Sequence, residues 1–116
     1  MKTYGLIGKT LGHSFSKDFF IQKFEKEGLV DCQYKNFEIP EIEEFPEILK
    51  NNPNLAGLNV TIPYKTSIIK YLDEIDRDAK ICGAVNTIRF SRSNGKTILT
   101  GYNTDTFGIL KRSERF

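Results

Sequence analysis

A chain of 116 residues with 39% hydrophobic and 28% charged residues has the composition of one globular domain with a real core, and is short for two domains. Its net charge of +2 gives no electrostatic case for nucleic acid or acidic lipid, and no apolar stretch approaches the roughly 20 residues that span a bilayer. Cys32 and Cys82 lie far apart without a C-x-x-C or a nearby histidine, which argues against a zinc site or a disulfide framework. Both are expected as reduced thiols in or near the core. Met1-Lys2-Thr3-Tyr4-Gly5 has no apolar signal region, so a soluble, cytoplasmic protein with a small neutral or anionic ligand is expected, with no nucleic-acid or membrane partner.

In chain order, Lys2 to Ile7 is a short apolar run ended by Gly8, and Ser14 to Ser16 offers a cap for a helix carrying Phe19, Phe20 and Phe24. Gly28 ends that helix and Tyr34 to Ile39 reads as a second strand. Pro40 then opens a helix through Phe45, Ile48 and Leu49 that Asn51-Asn52-Pro53 closes. Leu55 to Val60 is a third strand. Strands separated by helices imply parallel pairing, because a parallel return needs a connection of about a dozen residues or more. Beyond Pro63 a helix is expected through Ile68, Ile69 and Leu72, then a short one from Asp76 to Ile81. Ala84 to Phe90 and Thr97 to Thr100 follow as strands, joined by a hairpin loop, Ser91 to Lys96, that contains Asn94-Gly95. A last helix is expected from Asp105 through Phe107, Ile109 and Leu110. The fold class is α/β: an open three-layer α/β/α sandwich whose mostly parallel twisted sheet holds one antiparallel strand from the late hairpin.

Gly8-Lys9-Thr10 after the first strand imitates the end of a phosphate-binding P-loop, but that motif needs a glycine five positions before Gly8, where Thr3 stands. Leu11-Gly12-His13-Ser14 also prolongs the loop, whereas a P-loop helix starts at its lysine. Nucleotide hydrolysis is therefore disfavoured.

Polar chemistry gathers in segments that follow strands, where open α/β sheets bind ligands. Ser14 and Ser16, two apart at a helix start, can surround a carboxylate with two hydroxyls and free backbone N–H groups. The plainer reading is that one of them caps the helix. His13, the one histidine, is not assigned as a base. In Asn59-Val60-Thr61-Ile62-Pro63-Tyr64-Lys65, Asn59 and Thr61 alternate with Val60 and Ile62, so the polar pair is expected on one side and the apolar pair packed. Lys65 would then arise from the first turn of a helix, where the dipole disfavours a cation, so another reason for it is needed unless it is merely solubilising. Asn86, between Val85 and Ile88 in an expected strand, must find partners if buried. Asp105 after Asn103-Thr104 serves equally as a helix cap or as a functional carboxylate.

Four segments occur in one order: Gly12-His13-Ser14-Phe15-Ser16, Asn59 to Lys65, Gly83-Ala84-Val85-Asn86-Thr87 and Gly101-Tyr102-Asn103-Thr104-Asp105. Together they resemble the substrate-binding domain of the shikimate dehydrogenase family over nearly the whole chain, Tyr4 to Leu110. The resemblance implies NADPH-dependent reversible reduction of 3-dehydroshikimate to shikimate, a step towards aromatic amino acids. It implies that Ser14 and Ser16 bind the substrate carboxylate, that Asn59, Thr61, Asn86 and Asp105 bind ring hydroxyls, and that Lys65 and Asp105 are the catalytic pair. Lysine suits that role, since hydride delivery to a ketone builds negative charge on oxygen that an ammonium both stabilises and protonates.

Lys17, Phe20 and Ile21 depart from the proline and His-Asn pair usual after the second serine, and Thr10 from a proline in the first loop. These bear on subfamily more than on reaction. The family continues into a Rossmann domain with a glycine-rich turn for NADP, and no G-x-G-x-x-G occurs here. The chain is thus expected to be the 1–116 substrate-binding part of a longer enzyme, inactive alone. The alternatives are an enzyme that also oxidises quinate, and a free-standing module that binds a hydroxy-acid without catalysis.

Overall fold

The computed structural model describes residues 2–11, 15–28 and 31–104. Six strands, β1 (Lys2–Gly8), β2 (Cys32–Glu38), β3 (Leu55–Val60), β4 (Glu74–Ile75), β5 (Thr87–Ser93) and β6 (Lys96–Tyr102), form one sheet in the order β2-β1-β3-β5-β6-β4. β1 pairs in parallel with β2 and β3, while β5 runs antiparallel to both β3 and β6. β4 lies parallel to β6, so β5 alone opposes the rest, as the late hairpin implied.

The alternation of side chains along β1 splits the apolar residues between two faces. Ile7 joins Phe37, Leu58, Val60 and Ile88 in one core, covered by Phe45 and Ile68 and by Ala79. Phe45 belongs to α2 (Phe45–Asn51) and Ala79 to α3 (Arg77–Cys82), while Ile68 lies in a 3-10 turn, Ser67–Tyr71. On the other face Tyr4, Leu6 and Tyr34 pack under Phe20 and Phe24 of α1 (Phe15–Lys26), whose spacing of four puts both rings on one side of the helix. The result is helix, sheet, helix. Phe19, next to Phe20, points outward and is 54% exposed.

Several boundaries differ from expectation for local reasons. The helix foreseen from Pro40 begins as a 3-10 turn, Ile42–Glu44, in which the Glu41 N–H donates to the Glu44 carboxylate at 3.3 Å, and becomes α-helical only at Phe45. The foreseen loop Ser91 to Lys96 narrows to Asn94 and Gly95, both at positive φ (52° and 78°), the backbone of a two-residue hairpin turn. Ser91 to Ser93 are exposed and carry no hydrophobic signal, so their strand is held by its ladder to Lys96–Ile98. Ala84 to Asn86 precede β5 rather than belonging to it. β4 was not foreseen, being two residues long; the Asp73 carboxylate fixes it by accepting the Leu99 N–H at 2.8 Å. Cys82 is exposed at the end of α3, unlike the expected core thiol, whereas Cys32 is half-buried; neither is in a disulfide. The expected final helix from Asp105 lies outside the described residues.

Among the described residues no helix is long and apolar enough to cross a membrane, and no group of His, Cys, Asp or Glu is placed to hold a metal.

Candidate active site

The parallel strands β1, β3 and β6 end at one edge of the sheet, and there backbone hydrogen bonds tie three of the polar segments together. The Val60 N–H donates to the Asn86 carbonyl at 2.8 Å, the Val85 N–H to the Lys65 carbonyl at 2.7 Å, and the Asn86 N–H to the Tyr102 carbonyl at 2.9 Å. Segments far apart in sequence, around Asn59 to Lys65, Gly83 to Thr87 and Gly101 to Thr104, are therefore one structural unit. The Thr61 N–H adds β1 to it, donating to the Ile7 carbonyl at 2.9 Å.

Asn59 is half-buried on β3 and its Nδ2 donates to the Tyr34 hydroxyl at 2.8 Å. Thr61, also half-buried, sits over Gly8, where a Cβ would come within 2.7 Å of its methyl group. Gly8 is thus needed for close approach rather than for a phosphate. The expected packing of Val60 and Ile62 holds for Val60 alone: Ile62 is 74% exposed because the chain turns after Thr61, with the Tyr64 N–H donating back to the Thr61 carbonyl at 3.0 Å. Lys65, half-buried, follows in that turn, two residues before the 3-10 segment. It is not in the first turn of an α-helix as expected, so the dipole argument against a cation there loses its basis.

Asn86 is buried and finds the partners its position demanded. Its Oδ1 accepts the Thr104 N–H at 3.1 Å, the Thr104 hydroxyl at 3.2 Å and the Thr87 hydroxyl at 3.1 Å. Asn103, also buried, donates from Nδ2 to the Ala84 carbonyl at 3.1 Å. Asn103 and Thr104 thereby fix the chain immediately before Asp105. Ser14 and Asp105 lie outside the described residues, and Ser16 is described in its backbone alone, in the first turn of α1. Of the seven expected site residues, the structure thus brings Asn59, Thr61, Lys65 and Asn86 to one edge.

Sequence reasoning missed Tyr34, Tyr64 and Thr104. Tyr64 is buried and its hydroxyl donates to the Ile39 carbonyl, joining the turn that carries Lys65 to the chain after β2. Burial, and then the nearby Glu44, Glu41 and Glu43 carboxylates, push the Tyr64 hydroxyl above its ordinary value of 10.0. Since the folded state favours the neutral phenol, this stabilisation is complete below that ordinary value and is lost as pH rises through the raised one. Tyr64→Phe should cost about 1 kcal/mol at neutral pH and lessen the fall of stability in alkali. Denaturant titrations at neutral and alkaline pH check both; equal stability of the two proteins throughout would contradict it.

The strand-to-helix turn after β1 is the place where a cofactor phosphate would be looked for in an α/β fold. The Leu11 N–H donates to the Glu38 carboxylate at 2.8 Å, and the Leu11 side chain would lie 2.6 Å from a Cβ at Gly8. The Leu11 N–H is thereby taken by a carboxylate, whose negative charge would repel a pyrophosphate, so this part of the turn does not fit a nucleotide.

A mixed α/β sheet whose polar segments, carrying Asn59, Thr61, Lys65 and Asn86, meet at the ends of its parallel strands has the architecture in which open α/β domains place their ligand sites. Residues 6–88 match the sequence profile described as the shikimate dehydrogenase substrate binding domain, and the chain belongs to that family. It is 44% identical over 112 residues to the shikimate dehydrogenase (NADP(+)) of Bacillus subtilis, covering 95% of this chain and 38% of that protein. The crystal structure of shikimate dehydrogenase 1 from Peptoclostridium difficile superposes with a TM-score of 0.79 at 44% identity, covering 93% of this chain and 38% of that one. Shikimate 5-dehydrogenase from Listeria monocytogenes, crystallised with shikimate and NAD, gives 0.79 at 37% identity over 93% of this chain and 36% of that one. The chain thus spans well under half the length of these relatives.

Proposed function

We propose that this chain is the substrate half of an NADP-dependent shikimate dehydrogenase, a cytoplasmic enzyme that reversibly reduces 3-dehydroshikimate to shikimate. The observation that carries this reading is the stitching of the Asn59–Lys65, Gly83–Thr87 and Gly101–Thr104 segments into one edge by three backbone hydrogen bonds. It is supported by the family membership and by the Listeria relative's complex with shikimate. In this reading Ser14 and Ser16 hold the substrate carboxylate, and Asn59, Thr61, Asn86 and Asp105 hold ring hydroxyls.

Lys65 and Asp105 form the catalytic pair. The Lys65 ammonium stabilises the charge growing on the substrate oxygen and gives it a proton, while Asp105 orients Lys65 and one hydroxyl. The nicotinamide cofactor supplies the hydride when bound. The turn after β1 does not fit it and the sequence has no G-x-G-x-x-G, so its site is assigned to sequence outside this chain. This chain alone should not oxidise NADPH with dehydroshikimate.

The test is an NADPH-oxidation assay on the chain joined to its nicotinamide-binding domain. Dehydroshikimate-dependent oxidation is expected, and Ser14→Ala/Ser16→Ala should raise KM by about tenfold or more, two hydrogen bonds to a charged group being lost. Turnover with other hydroxy-acids alone would refute the assignment.

A further inference from the structure

We propose that Tyr34 is a positioning residue of the substrate pocket and makes Asn59 a hydrogen-bond acceptor towards the ligand. This rests on the substrate reading of Asn59 above and deepens it by stating which end of the amide the ligand meets.

Asn59, Leu6 and Asn36 lie side by side on β3, β1 and β2, and their side chains share one face of the sheet. Tyr34, two residues before Asn36, projects from that face too, and its hydroxyl crosses over β1 to take the Asn59 Nδ2–H at 2.8 Å. The phenol is a fixed point. Tyr34 is 4% exposed, and its ring stacks on Phe20 of α1 with centroids 4.9 Å apart and planes 10° from parallel. α1 also carries Ser16 in its first turn, so Tyr34 bridges the helix of the serine segment and the strand of the amide segment.

An asparagine amide is planar, with donors at one end and an acceptor oxygen at the other. Holding Nδ2 against Tyr34 therefore turns Oδ1 away from it, and no donor among the described residues reaches Asn59 Oδ1. Asn86 is committed in the opposite sense, its Oδ1 being engaged within the fold by Thr104 and Thr87. The two asparagines are thus not equivalent readers. Position 59 accepts from a ligand O–H and discriminates against a ligand with an ether or ketone oxygen opposite it, because two acceptors would then face each other.

The experiment is calorimetric titration of this chain with shikimate for the unaltered protein, Tyr34→Phe, Asn59→Ala, Asn59→Asp and the double variant Tyr34→Phe/Asn59→Ala. Tyr34→Phe keeps the stacked ring and should weaken binding about five- to tenfold, and Asn59→Ala by about tenfold or more. The double variant should bind no worse than Asn59→Ala, because Tyr34 acts through Asn59. Asn59→Asp, which keeps the acceptor and lets the Tyr34 hydroxyl donate to it, should bind better than Asn59→Ala. The proposal is overturned if Asn59→Asp binds no better than Asn59→Ala, which would make the amide a donor to the ligand, or if Tyr34→Phe has no effect or an additive one. Should Tyr34→Phe fail to fold, the comparison of Asn59→Asp with Asn59→Ala still decides. Failure of the unaltered, folded chain to bind shikimate is a separate result, which removes the substrate reading and this proposal with it.

Discussion

If Lys65 is the general acid proposed above, Lys65→Ala in the proposed full-length dehydrogenase should lower kcat by about 10²–10⁴-fold, the usual contribution of a positioned general acid. The dissociation constant for shikimate should change far less, because in the proposed reading Ser14, Ser16, Asn59, Thr61 and Asn86 still hold the ligand. The geometry supports this division: the Lys65 carbonyl is fixed by the Val85 N–H at 2.7 Å, so truncating the side chain leaves the backbone of the site in place. Lys65→Arg should not restore turnover, since a guanidinium keeps its charge and gives up no proton. Single-turnover and steady-state kinetics with dehydroshikimate check both. A kcat unchanged in Lys65→Ala would remove Lys65 from the chemistry.

The second large effect lies in the packing. Phe45 is fully buried at the start of α2, and its ring stands edge-on to Tyr71 with centroids 5.7 Å apart. It packs in the same core as Tyr64 and Ile68, the residues on either side of Lys65 that anchor its turn. Phe45→Ala should cost about 3–5 kcal/mol, a large part of the roughly 5–15 kcal/mol that holds a domain of this kind together. Urea unfolding measures it, and a loss below about 1 kcal/mol would show that the site can collapse around the cavity. Ligand affinity should fall with it where the variant remains folded, because the turn loses its support.

The parts of the fold legible in the sequence are those in which burial dictated residue type. β3 ran from Leu55 to Val60 as its apolar residues implied, and the reversal of β5 followed from Asn94-Gly95 between two strands. β4 left no trace, because two residues held by the backbone and the carboxylate of Asp73 need no hydrophobic pattern. The helix expected after Pro63 became a 3-10 turn anchored by Ile68 and capped at Leu72, an outcome that hydrophobic spacing over so few residues does not separate from an α-helix. Ile62 is exposed for a similar reason: strand alternation stops where the chain turns, and the sequence does not mark that residue.

The candidate site was legible as residue types and only partly as geometry. Asn86 stood out as an amide between apolar neighbours, and its three hydrogen bonds to Oδ1 explain how it is buried. Tyr34 gave no such signal, since a tyrosine in a strand is ordinary, and its contact with Asn59 depends on a register across three strands.

The most direct measurement is a calorimetric titration of this chain with shikimate, with Ser14→Ala/Ser16→Ala beside it. The substrate-domain reading requires saturable binding at one site, weakened by about tenfold or more in the double serine variant. A folded chain that gives no binding heat, or that binds equally well without both serine hydroxyls, would contradict it.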